Sequence, residues 1–115
     1  MKLPREIPVE LSTLAVDLPG LVDGEGAWTR ADALAVVKCL RGTTVAVTDV
    51  VVYEPAPGGY APTEIAWHAD RIPNEPDTEY SLRTRSGSGD FIRSCGSSSA
   101  NALFVMTFPM VKDAA

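Results

Sequence analysis

Thr29-Arg30-Ala31-Asp32-Ala33-Leu34-Ala35-Val36-Val37-Lys38-Cys39-Leu40-Arg41-Gly42-Thr43-Thr44-Val45-Ala46-Val47-Thr48-Asp49-Val50-Val51-Val52-Tyr53 changes its hydrophobic period once, at Gly42. Before the change, Ala33, Val36, Val37 and Leu40 recur at helical spacing. Thr29 is a suitable N-cap, because its hydroxyl can accept a free backbone N–H of the first turn, and Asp32 adds an anion at the positive end of the dipole. The pair is a capping box with Asp in place of Glu. Lys38 and Arg41 place cations at the negative end, and Gly42 supplies a left-handed stop. The spacing therefore predicts a helix over 30–41. After Gly42 the chain is rich in β-branched residues, which predicts a strand over 43–53. Val45, Val47, Val51 and Tyr53 would point one way, and Ala46, Val50 and Val52 the other. A strand apolar on both faces lies in the middle of a sheet or is covered on both sides. Asp49 interrupts one face and requires a partner if buried.

Working outward, Pro55-Ala56-Pro57-Gly58-Gly59 is turn chemistry, and 61–69 reads as a second strand pairing back antiparallel. On it Ile65 and Trp67 share a face with Thr63, while Glu64, Ala66 and His68 take the other. Residues 70–77 form a loop with two prolines, and Pro76-Asp77 can open a helix. Tyr80, Thr84, Gly87 and Phe91 would form its stripe, with Ile92 adjacent. Gly87 and Gly89 each cost about 1 kcal/mol relative to Ala, which weakens the helix there and marks where a break would fall. Gly96-Ser97-Ser98-Ser99 reads as a loop and 102–108 as a last strand, ended by Pro109. Toward the N-terminus a short helix near 9–15 precedes Pro19-Gly20 and a loop through Asp23-Gly24-Glu25-Gly26. The order helix, helix, strand, strand, helix, strand is an α+β arrangement. It implies a small antiparallel or mixed sheet of three or more strands, with two to three helices packed on it, in a single domain over 1–115.

The chain has 115 residues, 45% of them apolar, and a net charge of −5. That size and composition support one core. The acidity speaks against nucleic acid, which needs a concentrated basic surface, and against an anionic membrane. It permits a basic partner, since opposite fields steer association. Met1-Lys2-Leu3-Pro4-Arg5-Glu6 is not followed by an apolar signal region, and no apolar stretch is long enough to span a bilayer, so a cytoplasmic address is expected. Cys39 and Cys95 form no CxxC pair and are expected to be reduced, small core hydrophobes.

Little in the sequence points to catalysis. His68 is the sole histidine. It could act as a general base with Asp70 or Glu64, but no accompanying nucleophile is evident. One histidine and two dispersed cysteines give no metal-ligand spacing, and Glu75, Asp77 and Glu79 lack the central glycine and terminal Glu of a calcium loop. Ser86-Gly87-Ser88-Gly89 lacks the ending of a phosphate-binding loop. No cofactor, catalytic or metal residue is assigned. The acids are more informative. Between residues 64 and 79 stand Glu64, Asp70, Glu75, Asp77 and Glu79 against Arg71 alone, −4 of the chain's −5. Pro62, Pro73 and Pro76 stiffen this stretch, and Trp67 lies within it. A rigid acidic loop beside an aromatic suits a protein-binding edge, because it loses little entropy on docking. Glu64, Trp67, Asp70, Glu75, Asp77 and Glu79 are therefore the candidate partner-binding residues.

The region from Gly26 to Ser94 also resembles the immunity protein 40 family of bacterial polymorphic toxin systems. The resemblance runs through Thr29-Arg30-Ala31-Asp32-Ala33-Leu34, Asp49-Val50-Val51-Val52-Tyr53, Trp67-His68-Ala69-Asp70 and Pro73-Asn74-Glu75. It continues with Tyr80, Arg85-Ser86 and Phe91-Ile92. Val47-Thr48 replaces a glycine pair, His68 is unusual after the tryptophan, and Gly87 and Gly89 depart from the helix pattern. The resemblance implies a non-enzymatic cytoplasmic protein that binds and occludes a cognate toxin, one whose active-site cleft could be basic. An assembly subunit that oligomerises through its valine-rich strand and a small hydrolase using His68 and Asp70 are the alternatives.

Overall fold

In the computed structural model, which describes residues 2–95 and 101–109, the chain forms three helices and four strands. They are α1 (Val9–Leu14), β1 (Glu25–Trp28), α2 (Arg30–Cys39), β2 (Asp49–Ala56), β3 (Gly59–His68), α3 (Asp77–Ser94) and β4 (Leu103–Thr107). The strands make one antiparallel sheet in the order β1-β4-β2-β3. The expected α+β class is present, with the sheet wholly antiparallel.

The helix over 30–41 is observed as Arg30–Cys39, and the Thr29 side chain accepts the Asp32 N–H at 3.3 Å as the capping pattern requires. Gly42 adopts φ +80 in the turn beyond it. The valine-rich strand is observed later than expected, from Asp49 rather than residue 43. Thr48 still bonds both neighbours, its N–H donating to Thr107 O at 2.9 Å and its carbonyl accepting the Ala69 N–H at 3.1 Å, but residues 43–47 precede the paired stretch. Val47 N–H is instead taken by the Thr84 hydroxyl at 3.1 Å, and Val47 is fully buried without being in a strand. From Asp49 onward, β2 is an interior strand, one of the two settings that suit a run apolar on both faces. Pro57 and Gly58 connect it to β3, with Gly58 at φ +84, the position where a type II turn requires glycine.

The loop expected through residue 26 is corrected by β1, which begins at Glu25. Four residues are too few to show a period, and their partner, β4, lies near the other end of the chain. The expected helix is observed as α3, and it runs unbroken through Gly87 and Gly89. Its buried face is Tyr80, Ser81, Thr84, Arg85, Ser88, Gly89 and Ile92, shifted around the axis from the expected stripe. The cost of Gly87 is offset by packing, because a Cβ there would sit 2.7 Å from the Trp67 ring. Cys39 is exposed and Cys95 half-buried; both are free thiols, so Cys39 is not the core residue expected. The expected loop at 96–99 lies outside the described residues.

The main core lies between the helices and one sheet face. Val50, Val52, Phe104, Met106 and Trp28 meet Ala33, Val36, Leu40 and Ile92 there. Trp28 is fully buried, its ring edge-on to Phe108 and its indole N–H donated to Leu11 O at 2.8 Å. On the opposite face Leu18, Ala27, Leu103 and Val105 cluster with Val16, Leu21 and Tyr53. The segment after α1 thus covers the β1–β4 side of that face. Arg30 ties the start of α2 to the end of α3 by donating to Ile92 O and to Cys95 O, the latter at 2.9 Å. Free carbonyls at a helix C-terminus attract a cation in this way.

Candidate functional site

Because β3 stands at the edge of the sheet, one side of its backbone has no neighbouring strand among the described residues. Its register to β2 shifts between Val51 and Tyr53, and Pro62 lies within it. A bulge and a proline both discourage a foreign strand from adding to such an edge, so side chains rather than backbone are what this edge offers. On the helix side Trp67 is half-buried over Gly87 and packs on the main core. On the other side Glu64, Ala66 and His68 are exposed.

The register shift places His68 opposite Asp49, not opposite the residue that an even hairpin would give. Nδ1 of His68 lies 2.6 Å from Asp49 Oδ1, and Nε2 lies 2.6 Å from Asp70 Oδ1. Both ring nitrogens therefore face carboxylates. Hydrogen bonding to Asp70, then to Asp49, raises the imidazole pKa above 6.5. In its protonated form the ring can donate from both nitrogens, one to each carboxylate, and the two carboxylates favour that form. His68 and Asp70 meet as the hydrolase reading required, but in an arrangement that suits a clasp and not a general base.

Beyond His68 the loop is braced from α3. Arg83 donates from Nε to Glu75 Oε2 at 2.9 Å, and from its Nη2 to Glu75 Oε1 at 2.8 Å and to Asp70 O at 2.7 Å. Ile72 N–H also donates to the Glu75 carboxylate, at 3.0 Å. The Arg83 and Ile72 donors together hold Glu75 down at a pKa of about 2. Arg71 bonds Glu75 O at 2.9 Å and pairs with Asp77 at 2.7 Å, while its guanidinium stacks 4.6 Å from the Tyr80 ring centre. Tyr80 closes the frame by donating its hydroxyl to Ala69 O at 2.8 Å.

The six candidate residues therefore divide. Glu75 has only 8% of its side chain exposed and is spent on the frame, and Trp67 is half-buried over α3. Asp70 and Asp77 pair within the loop yet stay exposed. Glu64 and Glu79 are exposed and make no hydrogen bond or ion pair with the described residues. Sequence reading missed Asp49, Tyr80 and Arg83 as parts of this region. Asp49 had signalled a need for a partner, and Tyr80 and Arg83 share a helix face beside an acidic loop, a spacing that could have flagged them. The valines proposed for oligomerisation are used within the chain: Val50 and Val52 are fully buried, and Tyr53 packs on the second cluster. No group of three or more His, Cys, Asp or Glu placed to hold a metal occurs among the described residues. None of the described helices is long and apolar enough to cross a membrane.

The family model for immunity protein 40 matches residues 11–108, from within α1 to the end of β4. Neither the curated proteins nor the solved structures yield a match.

Proposed function

This chain belongs to the immunity protein 40 family, and we propose on that premise that it binds a cognate toxin domain of a bacterial polymorphic toxin system and blocks it by occlusion. It would do so in the cytoplasm of the cell that makes both proteins, with no chemistry of its own. The contact surface is the β3 edge and the loop that follows. Glu64, Asp70, Asp77 and Glu79 meet the toxin there, while Trp67 and Glu75 hold the surface in shape.

The observation that carries this reading is the cross-braced loop. Its carboxylates are fixed by Arg71, Arg83 and His68, yet most remain exposed. A preset acidic edge docks on a basic active-site cleft, such as that of a nuclease, with little ordering cost. Opposite fields also speed the encounter.

The test uses the toxin domain encoded beside this protein. The expected result is a one-to-one complex whose affinity falls as salt rises. Glu64→Lys with Glu79→Lys should weaken it at least ~tenfold, mainly through the association rate, and both positions lie outside the loop's frame. Unchanged affinity and salt dependence in that variant would make the proposed surface wrong. Absence of any complex with the wild-type chain would remove the toxin reading itself.

A further inference from the structure

We propose that the cleft between α2 and α3 is a second docking site, built to take a carboxylate-bearing, apolar segment of a protein partner. This goes beyond the toxin reading and does not depend on it. The cleft lies on the outer side of the helices and has a volume of about 550 Å³. Leu34 and Val37 of α2 and Leu82 of α3 give it apolar walls, and Leu82 is 62% exposed. The charged groups that line it are all cations: Lys38 and Arg41 from one side, Arg85 and Arg93 from the other. A protein of net charge −5 has gathered four of its ten basic residues here.

Lys38 and Arg41 alone could be explained by the C-terminal dipole of α2. Arg85 cannot, because it stands in the middle of α3. It is only 8% exposed, and its one hydrogen bond among the described residues goes from Nη1 to Thr43 O at 2.7 Å. No carboxylate pairs with it among the described residues. A guanidinium has five N–H donors, and burial has already stripped this one of most of its water. An incoming carboxylate would meet a positioned, partly dry cation without first having to desolvate it. Among the described residues the acid that touches the cleft's cations is Asp90, 2.8 Å from Arg93, in an exposed pair that contributes little.

The occupant follows from the chemistry of the walls. From Leu34 to Arg41 the cleft runs about 10 Å at the helical rise, room for about three extended residues. Leucine and valine walls favour side chains that are themselves apolar between the acids. A nucleic-acid backbone would waste those walls and would face the repulsion of the whole chain's charge.

The test is a titration of the full chain with a fluorescein-labelled peptide of alternating glutamate and leucine, followed by anisotropy. Inorganic phosphate and a single-stranded oligonucleotide serve as rival probes. The peptide should bind, with affinity falling as salt rises. Lys38→Glu with Arg41→Glu should weaken it at least ~tenfold, and Leu82→Ser should weaken it while keeping the charge. Glu64→Lys with Glu79→Lys, on the proposed toxin edge, should leave it intact. Circular dichroism confirms that each variant is folded. The proposal is overturned if the wild-type chain ignores the peptide or if folded variants bind it unchanged. Preference for phosphate or oligonucleotide, with Leu82→Ser silent, would also overturn it in favour of a phosphate site. Because no toxin is present, these outcomes are separate from those that test the toxin reading.

Discussion

His68 shows how much a single register shift decides. Two extra residues on β3 bring it level with Asp49, and two residues further on the chain delivers Asp70 to its other nitrogen. The folded state favours the charged imidazole, so its pKa is raised. The stabilisation from this clasp is complete below the unfolded value of about 6.5 and is lost as pH rises through the folded pKa. The histidine resonance is unique in this chain, so NMR titration reads it directly. Its midpoint should lie above 6.5, and Asp70→Asn and Asp49→Asn should each move it back toward that value. A wild-type midpoint at or below 6.5 would mean that the clasp does not form. The sequence foretold Asp49's need for a partner and Asp70's place near His68. It could not foretell that both would reach one ring, because the hairpin turn alone sets a different register.

At the scale of the element, α3 depends on small residues. Ser81, Thr84, Ser88 and Gly89 let it lie close to the rest of the core, and Gly87 leaves the space that the Trp67 ring fills. In isolation Ala at position 87 would favour the helix by about 1 kcal/mol. In the fold its methyl group would overlap the Trp67 indole. Overpacking of that kind typically costs about 1–3 kcal/mol. Gly87→Ala is therefore expected to destabilise the protein in urea denaturation despite improving helix propensity, with a shift in Trp67 fluorescence. A stability gain would show that the ring moves away freely. Propensity read from the sequence suggested a break in α3. The glycines that suggested it are instead where neighbouring elements come closest, a fact held in the tertiary packing alone.

For the whole molecule, Trp28 is the residue on which both ends of the chain meet. It belongs to β1, takes its hydrogen bond to α1, and lies against Phe108 just beyond β4. Removing a buried tryptophan side chain costs about 3–5 kcal/mol, a large part of the 5–15 kcal/mol that is typical for a domain of about this size. Trp28→Ala should lower the urea midpoint sharply and also leave the Leu11 carbonyl without its indole donor. A near-wild-type midpoint would show that the two ends contribute little to folding.

What the sequence by itself determined is local and periodic. The capped helix, the valine-rich strand, the turn at Pro57-Gly58 and the stiff acidic stretch from Glu64 to Glu79 are each written in neighbouring residues, whose spacing alone selects helix, strand or turn. The tertiary structure decided what depends on distant pairing. It gave β1 a partner in β4, started β2 at Asp49 where the paired stretch begins, and carried α3 over its glycines. It also turned a run of like charges into a frame, because Arg83 and Arg71 reach loop carboxylates whose chain position gives no hint of which cation each will meet. Charge along a sequence is only a sum, whereas its consequence depends on distances that folding sets.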